Sequence, residues 1–323
     1  MRVLIVGGTS FVGRALAWSA WHHGHSVTVL NRGRTASDLP ETVERLVGDR
    51  GGDLRALEGR RFDATLDVIA YRPNDVDRLA DALGDRGGRH LQVSSISAYR
   101  ETDRRDATED ELELWPEEGL DPDSVVTPAT YGPLKAACER AARRRFGADV
   151  TIVRPTYVIG AHDHTLRFPY WVARARRGGE IAVPGPREAR LQWIDARDLA
   201  AFALGVLDDG LTGPFHVAAP SGGLPFVEVI ERIVAHAAPA GARVVEVSAE
   251  AVRAADLAER FPLWSPRPEA VGTLDTTRAR AAGLVARALE ESVDDVVEWW
   301  GARPWADRWL SAAAEARLLA ASR

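Results

Sequence analysis

Arg2-Val3-Leu4-Ile5-Val6-Gly7-Gly8-Thr9-Ser10-Phe11-Val12-Gly13 opens the chain, and its reading decides the fold. Val3 to Val6 form a short apolar run ending in glycines, the pattern of a buried strand. Val12, Ala15, Leu16, Ser19 and Ala20 then take up helical spacing, and Gly24 stops that helix. A glycine turn between a strand and a helix lets backbone N–H groups and the helix N-terminus meet a pyrophosphate. Gly7 serves the turn and Gly13 the close packing of helix on strand. Thr9, Phe11 and Val12 belong to the same candidate cofactor site. Ser10 stands where many dinucleotide sites carry their middle glycine, so the backbone path there is expected to differ.

Outward from this unit, strand-like runs recur at 26–30, 43–47, 63–69, 89–94, 149–154 and 214–218. Helical patterns lie between them, after Pro73 and from Tyr131 to Arg145. That alternation predicts an α/β fold, a Rossmann-type doubly wound parallel sheet, with a smaller C-terminal substrate lobe. Residues 1–158 are assigned to the dinucleotide-binding domain, with 192–218 returning to it. Residues 159–191 and 219–323 are assigned to the substrate lobe. Trp299, Trp300, Trp305 and Trp309 are read as packing residues that dock the C-terminus, not as a ligand cage.

Composition narrows the function. The chain has 323 residues, 46% hydrophobic and 27% charged, as in ordinary globular proteins. A single cysteine, Cys138, excludes an intrachain disulfide and a cysteine-based zinc cluster, and reads as a small buried hydrophobe. Apolar runs fall well short of the ~20 residues of a membrane helix. Strand sequence from Arg2 onward leaves no room for a signal peptide, so a cytoplasmic location is expected. The net charge of −6 carries no basic footprint for nucleic acid. Residues 100–128 hold eleven Asp/Glu against three Arg. This acidic connection reads either as a solvated excursion or as a flap beside the site. A homodimer stays open.

Among 41 Lys and Arg residues the one lysine is Lys135, four positions after Tyr131 in Tyr131-Gly132-Pro133-Leu134-Lys135. Thr130 is the expected N-cap, with Pro133 in the first turn. The i, i+4 spacing puts phenol and ammonium on one helical face. A phenol ionises near ~10 in water, and a nearby ammonium with an oxidised nicotinamide favours the phenolate. Such a tyrosine is the acid for carbonyl reduction or the base for alcohol oxidation. Ser95, with Ser97 as second choice, closes the fifth strand, where a hydroxyl can hold the substrate oxygen.

The second strand ends in Asn31-Arg32. A neutral amide followed by arginine suits the 2′-phosphate of NADP, where a carboxylate would favour NAD; two solvated surface residues are the other reading. Asp49 and Arg50 are placed at the adenine edge, and Ala70 beside the cofactor. His162-Asp163-His164 is taken as a polar loop over the substrate, because no third metal ligand lies nearby; no metal is expected. Arg167 and Arg190 belong to an arginine cluster that either clamps a substrate phosphate or supplies surface cations.

The glycine turn, Ser94-Ser95 before Tyr99, Tyr131-x-x-x-Lys135, Arg154-Pro155 and Trp193-Ile194-Asp195-Ala196-Arg197-Asp198-Leu199-Ala200 together resemble the short-chain dehydrogenase/reductase superfamily. The resemblance is to its extended branch, with NAD-dependent epimerases and dehydratases. The Gly-Gly-Thr-x-Phe-x-Gly form is similar to a subgroup with reductase-like proteins and plant chloroplast stem-loop-binding proteins. The resemblance implies a Ser95–Tyr131–Lys135 triad, nicotinamide contacts around Pro155 and Val158, and a substrate lobe after residue 160. The chain departs from the pattern at Ser10 and Asn31. Three functions follow: an NADP(H)-dependent oxidoreductase on a carbonyl/alcohol substrate, with NAD as the alternative cofactor; a nucleotide-sugar epimerase or dehydratase that recycles NAD; and an RNA-binding protein on the same fold.

Overall fold

The computed structural model describes residues 1–322 except 148, 266–272, 302 and 304–307. Its first half runs β1 (Arg2–Val6), α1 (Phe11–His22), β2 (Ser26–Asn31), β3 (Glu44–Val47), β4 (Ala64–Asp67), α2 (Pro73–Leu83), β5 (Arg89–Val93), α3 (Pro128–Phe146) and β6 (Thr151–Pro155). There follow β7 (Tyr157–Ile159), α4 (Arg167–Arg177), β8 (Glu180–Pro184), β9 (Arg190–Asp195), α5 (Ala196–Asp208), β10 (Gly213–Val217), β11 (Ala219–Pro225), α6 (Phe226–Ala237) and β12 (Arg243–Val247). Helices α7 (Ala249–Ala254), α8 (Thr277–Ala281), α9 (Leu289–Trp300) and α10 (Ala312–Ala321) complete the chain.

Seven strands form one parallel sheet in the order β10-β6-β5-β4-β1-β2-β3. Successive side chains of a strand point to opposite faces, and β1 is buried on both. Val3 and Ile5 join the core built with α1 and α5, while Leu4 and Val6 join Leu79 and Leu83 of α2. A run apolar at every position is therefore what a strand covered by helices on both sides needs. A second core gathers Trp171 of α4, Phe226 of α6 and Val293 of α9, beside a three-stranded sheet β11-β9-β7 and the pair β12-β8. Of the stretch assigned to the large sheet, α5 and β10 return to it, whereas 192–195 lie in β9 of the small sheet.

Helix α3 begins a turn earlier than its apolar spacing indicated. Thr127, not Thr130, is the N-cap, and Pro128 takes the first helical position. The Thr127 hydroxyl accepts the Thr130 N–H at 3.2 Å, and the Thr130 hydroxyl accepts the Thr127 N–H at 2.8 Å. Two orphan donors are satisfied reciprocally.

The acidic connection is pinned rather than free. Trp115 N–H donates to Ala98 O at 3.0 Å, Tyr99 bridges Leu114, and Asp275 N–H donates to Ala107 O at 3.0 Å. Ala107 and Glu109 are buried. Among the described residues no helix is long and apolar enough to cross a membrane.

Candidate active site

At the end of β1 the chain turns at Gly7, whose φ of +94° suits glycine. The Gly7 N–H donates to Leu30 O at 2.9 Å. A Cβ on Gly13 would lie 2.0 Å from Gly7 O, so only glycine lets α1 start this close to the strand. Ser10 is the N-cap of α1 in extended conformation, and its side chain makes no capping bond. The first-turn N–H groups are thus left for an external acceptor.

On the other side of β1, the ends of β4 and β5 meet α3. A Cβ on Gly132 would lie 2.3 Å from Ser97 O, so this glycine lets α3 press against the turn that carries Ser95. The Ser95 hydroxyl accepts the Ser97 N–H at 3.1 Å. Lys135 is buried, and its Nζ donates to Ala70 O and Val93 O, each at 3.0 Å. The ammonium lies 5.0 Å from the Tyr71 ring centre and 5.9 Å from that of Tyr131. Two carbonyls thus fix a single positive charge between two phenol rings.

A buried network supports this floor. Glu139 accepts from the Ser94 hydroxyl and from Arg154 through two bonds of 2.9 and 2.6 Å. Arg154 also donates to the Tyr99 hydroxyl at 2.5 Å, and that hydroxyl lies 2.6 Å from His216 Nε2. His216 Nδ1 lies 2.9 Å from Asp275 O. A carbonyl only accepts, so Nδ1 carries the proton and Nε2 accepts from Tyr99. Burial lowers the His216 pKa, consistent with a neutral ring. From the acidic connection, Glu109 accepts the His216 backbone N–H at 2.7 Å and faces Arg278 at 3.6 Å.

These elements enclose a cavity of about 700 Å³. Gly7, Ser10, Phe11 and Val12 line it together with Ser95, Ser97, Tyr131, Lys135, Pro155, Val158, His164 and Arg167. Residues that sequence reasoning missed also line it: Tyr71, Tyr99, Thr102, Tyr157 and Arg308. Trp309, expected to pack, faces the cavity as well; its indole N–H donates to Thr165 O at 3.2 Å. Trp300 is buried as expected, and Trp305 lies outside the described residues. Asp163 is fully buried and accepts the N–H groups of Thr165 and Arg167 at 2.8 and 3.1 Å, while His162 packs 5.1 Å from Trp299.

Thr9, Gly13, Asn31, Arg32, Asp49, Arg50, Ala70 and Arg190 do not line the cavity. Asn31 Oδ1 accepts the Gly33 N–H at 2.7 Å, Arg32 is exposed, and Asp49 Oδ1 accepts the Gly51 N–H at 3.0 Å. Ala70 contributes its carbonyl to Lys135. Two side chains expected at ligands are committed elsewhere. The Arg50 guanidinium, expected at the adenine edge, is buried against Asp67, with bonds of 2.6 and 2.8 Å, and donates to Asp75 O at 2.9 Å. Arg190 does not reach the substrate space, because it donates to Gly222 O and Gly223 O at 3.1 and 2.8 Å.

The model of the NAD dependent epimerase/dehydratase family matches residues 3–218. The chain is similar to the chloroplast stem-loop binding protein of 41 kDa b of Arabidopsis thaliana, 24% identical over 64% of this chain and 55% of that protein. It thus spans about half the length of that relative. It is also similar to the bifunctional pinoresinol-lariciresinol reductase of Thuja plicata, 24% identical over 72% of this chain and 73% of that protein. Among solved structures it is similar in fold to the UDP-N-acetylglucosamine 4-epimerase of Bacillus cereus. The TM-score is 0.68 at 18% identity, covering 93% of this chain and 100% of that one.

Proposed function

The chain belongs to the NAD dependent epimerase/dehydratase family, a family of nicotinamide-dependent enzymes of the short-chain dehydrogenase/reductase type, and on that premise we propose that it is an NADP(H)-dependent reductase or dehydrogenase acting on a small carbonyl/alcohol substrate. One observation carries the reading: Ser95, Tyr131 and Lys135 converge on a single cavity that also reaches the glycine turn. The turn fits a dinucleotide, since Gly13 permits the close approach and the first-turn N–H groups of α1 lack a side-chain cap. When bound, the nicotinamide supplies or takes up a hydride. Tyr131 gives its proton to the carbonyl oxygen in reduction and takes it from the alcohol in oxidation. Ser95 donates to the same oxygen and holds it near the phenol. Lys135, tied to two carbonyls, is held in place beside Tyr131. A reductase among the relatives supports this direction of chemistry.

NADP is favoured at the end of β2, where Asn31 stands in place of a carboxylate and Arg32 offers paired donors. A cytoplasmic location is part of the proposal, in keeping with one buried, unpaired cysteine. The test pairs nicotinamide fluorescence titration with a screen for carbonyl-dependent NADPH oxidation. NADPH is expected to bind at least ~10-fold tighter than NADH, and Arg32→Ala to erase most of that ratio, as loss of a charge-assisted hydrogen bond predicts. Tyr131→Phe should cut turnover by about 10²–10⁴-fold with little change in cofactor affinity. Near-normal turnover in Tyr131→Phe refutes the acid–base assignment, and a wild-type preference for NADH refutes the cofactor assignment.

A further inference from the structure

Four of the chain's five tyrosines, Tyr71, Tyr99, Tyr131 and Tyr157, line this cavity, although Phe, Trp and Tyr make up only 7% of the sequence. Their polar ends are in part already committed. The Tyr99 hydroxyl is held by Arg154 and His216, and the Trp309 indole N–H by Thr165 O. Tyr99 is also covered, with Arg154 4.7 Å from its ring centre, so of the two it is the Trp309 ring that remains for a ligand. Tyr71 is 42% exposed at the cavity, its ring centre 6.4 Å from that of Tyr131. Arg167 lies 5.5 Å from the Tyr157 ring centre and donates to the Thr165 hydroxyl at 3.1 Å. Asp163 accepts the Arg167 backbone N–H, but among the described residues no carboxylate pairs with its guanidinium. Nor, among the described residues, does any Asp, Glu, Asn or Gln line the cavity. The polar lining is Ser, Thr and Tyr hydroxyls with His164 and Lys135, and the rings with the Arg167 and Arg308 guanidinium groups match a planar anion.

We propose that the substrate is an aromatic carbonyl compound, or its alcohol, carrying one carboxylate or phosphate. The ring lies against Tyr71, Tyr157 and Trp309, the anion meets Arg167, and the carbonyl meets Tyr131. This rests on the hydride-transfer reading: hydride passes from NADPH to the carbonyl carbon, the Tyr131 proton goes to the oxygen as the C=O π bond breaks, and NADP⁺ is left.

The test is calorimetric titration of the full chain, with and without saturating NADP⁺, using benzoylformate, phenyl phosphate, acetophenone, pyruvate and UDP-glucose. At least one aromatic anion should bind about tenfold or more tighter than both pyruvate and acetophenone, as expected when ring and charge each contribute. Benzoylformate against phenyl phosphate tells which anion is preferred. Arg167→Gln should bring the anions down to the level of acetophenone. Tyr71→Ser should weaken every aromatic probe by about 2- to 10-fold, and Tyr71→Phe should restore it. Pyruvate binding as tightly as benzoylformate, UDP-glucose binding tighter than all aromatic probes, or no binding of either aromatic anion overturns the proposal. The hydride-transfer reading fails differently: Tyr131→Phe or the cofactor titration would contradict it while these binding ratios stand.

Discussion

Arg50→Met tests whether Arg50 is part of the scaffold or of the cofactor site. Asp67 is fully buried, and its carboxylate receives both ends of the Arg50 guanidinium, at 2.6 and 2.8 Å. Burial alone would raise the Asp67 pKa; the charge and bonds of Arg50 outweigh it and hold the group below its usual value. Arg50→Met leaves that carboxylate buried without its cation, which costs about 3–5 kcal/mol. At a urea slope of roughly 3 kcal/mol per M, the unfolding midpoint should fall by about 1–2 M. The deficit should shrink as pH falls, because the unpaired Asp67 takes up a proton. The wild-type pair contributes above the unfolded carboxylate pKa and is lost as pH falls through the lowered folded value. The double variant Arg50→Met/Asp67→Leu should recover most of the loss, since an apolar pair of similar volume replaces an ion pair at little net cost. Asp67 also accepts the Ile69 N–H at 3.3 Å, and Asp75 accepts those of Tyr71 and Arg72 at 3.2 and 3.1 Å. The pair therefore steadies the turn whose Ala70 carbonyl holds Lys135. A wild-type urea midpoint in Arg50→Met, combined with weaker NADPH binding, would refute this and return Arg50 to the adenine edge.

Two further outcomes are expected. Gly13→Ala puts a methyl 2.0 Å from Gly7 O and must push α1 off the strand, so NADPH affinity in a fluorescence titration should drop by about tenfold or more, with an overpacking cost near 1–3 kcal/mol; Gly52→Ala, in open space, is the control and should bind normally. His90 is buried with its ring stacked 3.8 Å from Phe146, and burial pushes its pKa down to about 4. The unfolded imidazole takes up its proton near 6.5 and the folded one only near 4, so stability is full above pH 6.5 and falls by about 3 kcal/mol toward pH 4 at 1.36 kcal/mol per pH unit. Urea midpoints across that range should fall less steeply in His90→Leu; equal slopes in both proteins would rule His90 out as the cause.

What the sequence disclosed is what short separations encode. Gly7 to Gly13, Tyr131 with Lys135, and the serines after β5 each sit within one turn or strand end, where local geometry brings the groups together. The missed features depend on distant partners. Arg50 meets Asp67 across a separation of 17 residues, and the strands that precede them, β3 and β4, have β1 and β2 between them in the sheet, so its motif gave no hint of burial. Glu109 and His216 are 107 residues apart, and Trp309 reaches Thr165 across 144. Gly132 shows its purpose only once Ser97 O is seen where a Cβ would be. The early start of α3 lay in Thr127 and Pro128, whose capping chemistry was legible but was outranked by the apolar spacing from Tyr131 onward.

The Glu109 anchor sets how this architecture can be recombined. A chimaera that joined residues 1–158 to a foreign C-terminal half would keep Glu109 but lose the His216 amide and Arg278 that receive it. It would also strip the Tyr99 hydroxyl of its imidazole acceptor. Each orphaned buried group costs about 1–3 kcal/mol, several of them together comparable with the ~5–15 kcal/mol that holds a typical domain folded. A graft of a new substrate lobe onto this chain therefore has to keep residues 100–128 together with β10 and the 273–278 segment, or it does not seat.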